Sequence, residues 1–201
     1  MYVTRGAHLW VMWGTLFVPL FALLIHFAQT KLPADWGRGF AISLGILILL
    51  LATMLAMGFL AYRLRPEIVL PILEGQGRDA STFLSDSFTR RFSHIGSLLT
   101  LLALLIPALS FLLPTSHSPL STSHFPLPTF VLLLIALGTL LILGPDFLYL
   151  QDNFGYRINT IFKFYYQAWM LLSLASAYGT AVLLRRLRGS ANILFSVIFV
   201  L

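Results

Sequence analysis

Five apolar runs, each long enough to cross a bilayer, decide what this chain of 201 residues can fold into. A helix needs about 20 apolar residues to span about 30 Å of hydrocarbon. The runs at 9–28, 40–64, 95–113, 129–150 and 161–184 meet that length. Lipid offers no water to unpaired backbone groups, so segments of this kind pair their own N–H and C=O groups within helices. The expected fold is all-α: a polytopic transmembrane helix bundle with five full spans and a truncated sixth. That sixth run, 191–201, reaches the last residue with no polar cap. The open end leads to the expectation of a single membrane domain over 1–201 that is a fragment of a larger protein, with the missing remainder as a packing partner.

Composition narrows the function classes. Hydrophobic residues make up 58% of the chain and charged residues 10%, against about 25% charged residues in soluble domains. The net charge of +6 comes from cations at the ends of apolar runs. There they anchor to headgroups and set orientation. Membrane lipids are therefore the expected partner, and nucleic acid is not. With no cysteine in the sequence, disulfide frameworks and thiol chemistry are excluded.

The connections differ in character. Residues 30–39 form a short interface mixture with Lys31, Asp35, Trp36 and Arg38. The longest polar loop is 63–93, in which 66–73 is apolar enough to lie on the membrane surface and Gly-Gln-Gly at 75–77 acts as a breaker. Residues 114–128 carry no charge and are rich in Ser, Pro, Thr and His, as an irregular exposed loop would be. Pro19 and Pro107 lie inside the first and third runs, with a kink expected at Pro19. If all five runs cross, eight of the 13 Lys and Arg residues share the side of the 63–93 loop. The positive-inside rule then makes that side cytoplasmic. The cluster Arg185, Arg186 and Arg188 argues for the opposite side, so charge leaves both orientations open.

Polar chemistry concentrates in one stretch, 146–169. Ionisable groups at membrane depth are costly and usually functional. Gly144-Pro145 interrupts the fourth run, and a new helical segment starting there would place Asp146 in its first turn, near the positive end of the dipole. Tyr149 and Asp152 follow at i+3 and i+6, so the three can share a side. Asn153-Phe154-Gly155 makes a turn, Arg157 and Asn159 sit on the re-entry, and Lys163 and Gln167 share a face of the fifth helix. Tyr165 and Trp169 form another i, i+4 pair on a different face. Together these suggest a pocket at the membrane rim. Asp146 and Asp152 suit a divalent metal, a sugar hydroxyl or a base role. Arg157 and Lys163 suit a phosphate. Asn159 and Gln167 add hydrogen-bonding groups, and Tyr149, Tyr165, Tyr166 and Trp169 can line a sugar or lipid groove. Plainer roles fit the same residues: an Asp152–Arg157 loop tie, a snorkelling Lys163, and an aromatic belt.

The run from Tyr149 through Arg157-Ile158-Asn159-Thr160 to Phe162-Lys163-Phe164-Tyr165-Tyr166-Gln167 and Trp169 resembles the signature of the YYY family. These are large multi-spanning membrane proteins of archaea and Chloroflexi-type bacteria, grouped around a domain of unknown function. The resemblance is dense over 146–179 and general over the leading spans. Family members usually carry Glu at the position of Asp146 and Met at that of Ile158. The resemblance implies a prokaryotic plasma-membrane protein similar to GT-C glycosyltransferases, which use polyprenyl-phosphate sugar donors at the outer membrane face. It also implies that this chain is a C-terminal part holding donor-binding groups, that its catalytic base lies upstream of Met1, and that the 151–160 loop faces outward. A non-catalytic scaffold, lipid-binding or transport subunit is the competing class.

Overall fold

The computed structural model describes residues 6–30, 32–74, 95–113, 127–148, 158–186 and 197. Among these residues six helices run in chain order: α1 Gly6–Gln29, α2 Trp36–Leu64, α3 Pro66–Glu74, α4 Ile95–Leu112, α5 Leu127–Leu143 and α6 Ile158–Arg186. A 3-10 turn, Gly144–Asp146, closes α5. No strand occurs among the described residues. All but α3 are long and apolar enough to cross a membrane, as the five runs predict. Helices α1 and α4 continue unbroken through Pro19 and Pro107. The sixth run lies outside the described residues apart from Val197, as do 75–94 of the long loop and 114–126 of the Ser/Pro-rich loop.

Helices α1, α4, α5 and α6 close a ring in which each packs on two neighbours, and α2 attaches to the outside of α4. The α1 stripe that fills the ring is Leu9, Trp13, Phe17, Leu20 and Leu24, spaced three or four residues apart on one helix face. It meets Leu101, Leu104, Leu105 and Ala108 of α4, Ile135 and Ile142 of α5, and Ala168, Leu172 and Ala175 of α6 in one core. The ends define direction. Gly6 approaches Gly96 and Trp13 meets Tyr165 near one end, here called proximal. Phe27 meets Phe111 near the other, distal end. The chain therefore alternates, with α1, α4 and α6 running one way and α2 and α5 the other. Arg63, Arg65 and Lys163 lie toward the proximal end, and Arg38, Arg185 and Arg186 toward the distal end.

Small residues set the closest helix crossings, as expected where lipid supplies no hydrophobic drive between helices. Gly39 of α2 faces Ser110 of α4 so closely that an added Cβ would stand 2.7 Å from the Ser110 backbone nitrogen and 2.8 Å from its Cα. The Asp35 N–H donates to the Ser110 carbonyl at 2.9 Å across the same junction, and the Trp36 ring meets Phe111 edge-on at 5.5 Å. Gly138 of α5 likewise makes room for Leu172 of α6. Three hydroxyls inside the helices bond back to the preceding turn: Ser43 donates to Gly39 at 2.8 Å, Ser110 to Ile106 at 2.7 Å and Thr139 to Ile135 at 2.7 Å.

Helix α2 holds the most apolar 18-residue stretch of the five spans, yet only Gly39 and Ser43 are buried along it. Its Ile48, Leu49, Met57, Phe59 and Leu60 are all exposed. On a helix at the lipid boundary such side chains contact acyl chains, which are as apolar as leucine.

Candidate functional site

The polar stretch begins where α5 tightens and stops. Leu143 keeps right-handed helical angles, and the Phe147 and Leu148 N–H groups both return to the Gly144 carbonyl at 3.0 and 2.9 Å. Pro145 takes the start of the 3-10 turn, where its missing N–H is not required. This corrects the expectation of a new helical segment with Asp146 in its first turn. Asp146 instead ends the fourth span, at the negative end of that helix's dipole. It is 1% exposed and sits beside buried Phe147. The turn packs on the start of α6, where Gly144 lies against Phe164.

Of the other residues singled out by sequence, Tyr149, Asp152 and Arg157 lie outside the described residues. Asn159, Lys163 and Gln167 lie at i, i+4 and i+8 of α6, and all three are exposed. Helix α6 has 29 residues, so it is about 43 Å long at 1.5 Å per residue. That exceeds a hydrocarbon thickness of about 30 Å. Lys163 stands about 8 Å from the proximal start of α6, a depth from which its amine reaches the headgroups.

The aromatics divide between two surfaces. Tyr165 turns inward, where its ring meets Trp13 of α1 edge-on at 5.5 Å and 75°. Trp169 and Tyr166 turn outward, at 55% and 59% exposed, and Tyr166 stacks on Phe162 at 6.4 Å. The expected Tyr165–Trp169 face is therefore split by the boundary between core and surroundings. Positions i and i+4 differ by about 40° around a helix, enough for such a boundary to pass between them.

Three proximal residues were given no role of their own by the sequence reading. Trp13 joins Tyr165 from α1, while Ser97 near the start of α4 and Thr160 in the first turn of α6 are buried polar groups. Helix pairing alone brings Trp13 to the motif, and no local pattern announces it. Trp10, Phe59, Tyr62, Phe162 and Tyr166 are exposed toward the same end, and Trp36, Phe40 and Phe130 toward the distal end. Aromatics in such positions form the two interfacial belts of a spanning protein. Among the described residues, no three His, Cys, Asp or Glu side chains gather as metal ligands. Asp146 contributes one carboxylate, and its expected partner Asp152 falls outside the described residues.

The arrangement that can act on a ligand is thus an outward strip on α6. It has one cation, two amides at helical spacing on either side, and exposed rings beside them. A family described as uncharacterized membrane protein (DUF2298) matches residues 3–172. The matched region takes in the leading four spans as well as the start of α6 and its polar residues. No curated protein and no solved structure matches the chain.

Proposed function

The chain belongs to the DUF2298 family of uncharacterized membrane proteins, and from that premise we propose that it binds the phosphate of a polyprenyl-phosphate sugar at the proximal start of α6, as part of a GT-C-like glycosyltransferase. The observation that carries this reading is the exposure of Lys163 between Asn159 and Gln167 on a helix face otherwise lined by aromatic and apolar groups. An ammonium at headgroup depth supplies a point charge and three donors to a phosphate. The two amides donate to remaining phosphate oxygens or to sugar hydroxyls. Phe162, Tyr166 and Trp169, exposed on the same helix, offer flat apolar surfaces to the first isoprene units. A donor held in this way keeps its tail in lipid and its sugar at the membrane rim, where a base supplied by the rest of the enzyme would act on the acceptor. Arg157 belongs to this reading as a second phosphate-binding group and Asp152 as a metal or acceptor group, whereas Asp146, buried at the end of α5, takes no part in the exposed strip.

Site-specific crosslinking tests the proposal. A photoreactive phenylalanine analogue replaces Trp169, or Leu137 on an exposed part of α5 as control, and membranes receive radiolabelled polyprenyl-phosphate sugar. Label captured at 169 and not at 137, and competed by unlabelled polyprenyl phosphate, is the expected result. Equal capture at both positions, or capture competed equally by the uncharged polyprenol, refutes recognition of the phosphate.

A further inference from the structure

We propose that the junction of α2 and α3 binds the headgroup of an anionic phospholipid through Arg63 and Arg65, with α3 lying in the interface plane. The inference is independent of the α6 reading. Helix α2 carries Arg38 in its first turn and Arg63 in its last. At 1.5 Å per residue they stand about 37 Å apart along the axis, with only apolar residues, small residues, Thr53 and Tyr62 between them. A bilayer has about 30 Å of hydrocarbon and about 40–45 Å including headgroups. The two arginines therefore fall in opposite headgroup layers, and Arg63 marks the proximal one.

The local geometry leaves both guanidinium groups available to phosphate. Arg63 lies over the Phe59 ring at 5.4 Å, a cation–π contact that leaves the exposed guanidinium without an anionic partner among the described residues. Arg65 ends α2, donating its backbone N–H to Ala61 at 2.9 Å. Its backbone angles of φ −139° and ψ 57° break the helix before Pro66. Its side chain stays 69% exposed and stands 3.7 Å from Glu67, itself 61% exposed, so the pair is loose and solvent-screened. Exposed Tyr62 and Phe59 flank the site, as aromatics do at a headgroup layer.

The segment after the break supports the same placement. Helix α3 has nine residues, reads Pro-Glu-Ile-Val-Leu-Pro-Ile-Leu-Glu, and follows α2 after the single residue Arg65. It is too short to span, and it is too apolar to project into water with Leu70 exposed. A short apolar helix with acids at its two ends, attached to a pair of arginines at headgroup depth, matches an interfacial helix beside anionic lipid. The acids are confined to Glu67 and Glu74, and the two arginines precede both.

The cysteine-free sequence makes the test direct. Leu70→Cys in the full chain is labelled with a small fluorophore and placed in nanodiscs of zwitterionic lipid containing a minority of phosphatidylglycerol. Two quenchers are compared: aqueous iodide, and headgroup-matched spin-labelled phosphatidylglycerol against spin-labelled phosphatidylcholine. The expected result is a label shielded from iodide and a preference for phosphatidylglycerol of about fivefold per arginine at low ionic strength. That preference falls to parity in Arg63→Gln/Arg65→Gln, survives in Arg63→Lys/Arg65→Lys, and is unaffected by millimolar inorganic phosphate. Both arginines are exposed, so an unchanged melting temperature in the Gln variant confirms that the fold is intact. A label open to iodide, a preference already at parity, or a preference that survives the Gln substitutions overturns the proposal.

Discussion

Substituting Gly39 by Ala adds one methyl group at the tightest point of the bundle. That methyl would stand 2.7 Å from the Ser110 nitrogen and 2.8 Å from the Ser110 Cα, and closer still to its hydroxyl. The hydroxyl can rotate away, but the backbone atoms cannot. Ordinary contacts are about 3.5–4.0 Å, so α2 and α4 must separate by about 1 Å. Overpacking of this kind costs about 1–3 kcal/mol. The same shift stretches the 2.9 Å bond from the Asp35 N–H to the Ser110 carbonyl, worth about 1 kcal/mol. Gly45, six residues along the same helix, provides the control, because an added Cβ there meets nothing within 4 Å. Gly45→Ala should be neutral or gain up to about 1 kcal/mol of helix propensity. The two variants should then differ by about 2–4 kcal/mol, or on the order of 5–10 °C in melting temperature for a chain of this size. Thermal unfolding in one detergent, read by intrinsic tryptophan fluorescence, measures the difference. A Gly39→Ala protein that melts with or above Gly45→Ala refutes the proposed α2–α4 crossing.

Three further outcomes follow from the same geometry. Tyr165→Ala removes a buried ring packed on Trp13 and should cost about 3–5 kcal/mol, whereas Trp169→Ala, at an exposed position, should change stability by less than about 0.5 kcal/mol; paired melting curves decide. Asp35→Ala removes the side-chain acceptor that caps α2 through the Arg38 N–H at 2.9 Å and should cost about 1 kcal/mol, with Asp35→Asn recovering most of it. Lys163→Ala should leave the melting temperature unchanged in lipid-free detergent, because the side chain is exposed, and a large drop there would reassign Lys163 to a structural role.

The spans were readable because hydrocarbon length translates directly into residue count; the runs locate α1, α2, α4 and α6 to within four residues, while the fourth run reaches to 150, past the close of α5 at Leu143 and its 3-10 turn at Asp146. Which face of each helix turns inward was not readable. Core and lipid are both apolar, so hydrophobicity does not separate them, and α2 shows the consequence: the span with the most apolar 18-residue stretch is the least buried. Trp13 and Tyr165 meet through pairing of α1 with α6, which leaves no periodic trace. Asp146 is buried as its place beside Gly144-Pro145 in an apolar run suggests, but Gly144-Pro145 ends a helix there and does not begin one, since a 3-10 turn accommodates Pro145 without a break. The α6 amides and Lys163 fall on one face as their spacing requires. That this face is exposed among the described residues is information held by the packing of α5 and α1 on other faces of α6.

The most direct measurement of the central claim is equilibrium binding of polyprenyl phosphate to the full chain in nanodiscs, compared with the uncharged polyprenol and repeated with Lys163→Ala. The account predicts that the wild-type chain prefers the phosphate, that Lys163→Ala loses about tenfold or more of that preference, consistent with about 1.5–3 kcal/mol for a charge-assisted contact, and that polyprenol binding is unchanged. Equal affinity for phosphate and alcohol, or a phosphate preference untouched by Lys163→Ala, would contradict it.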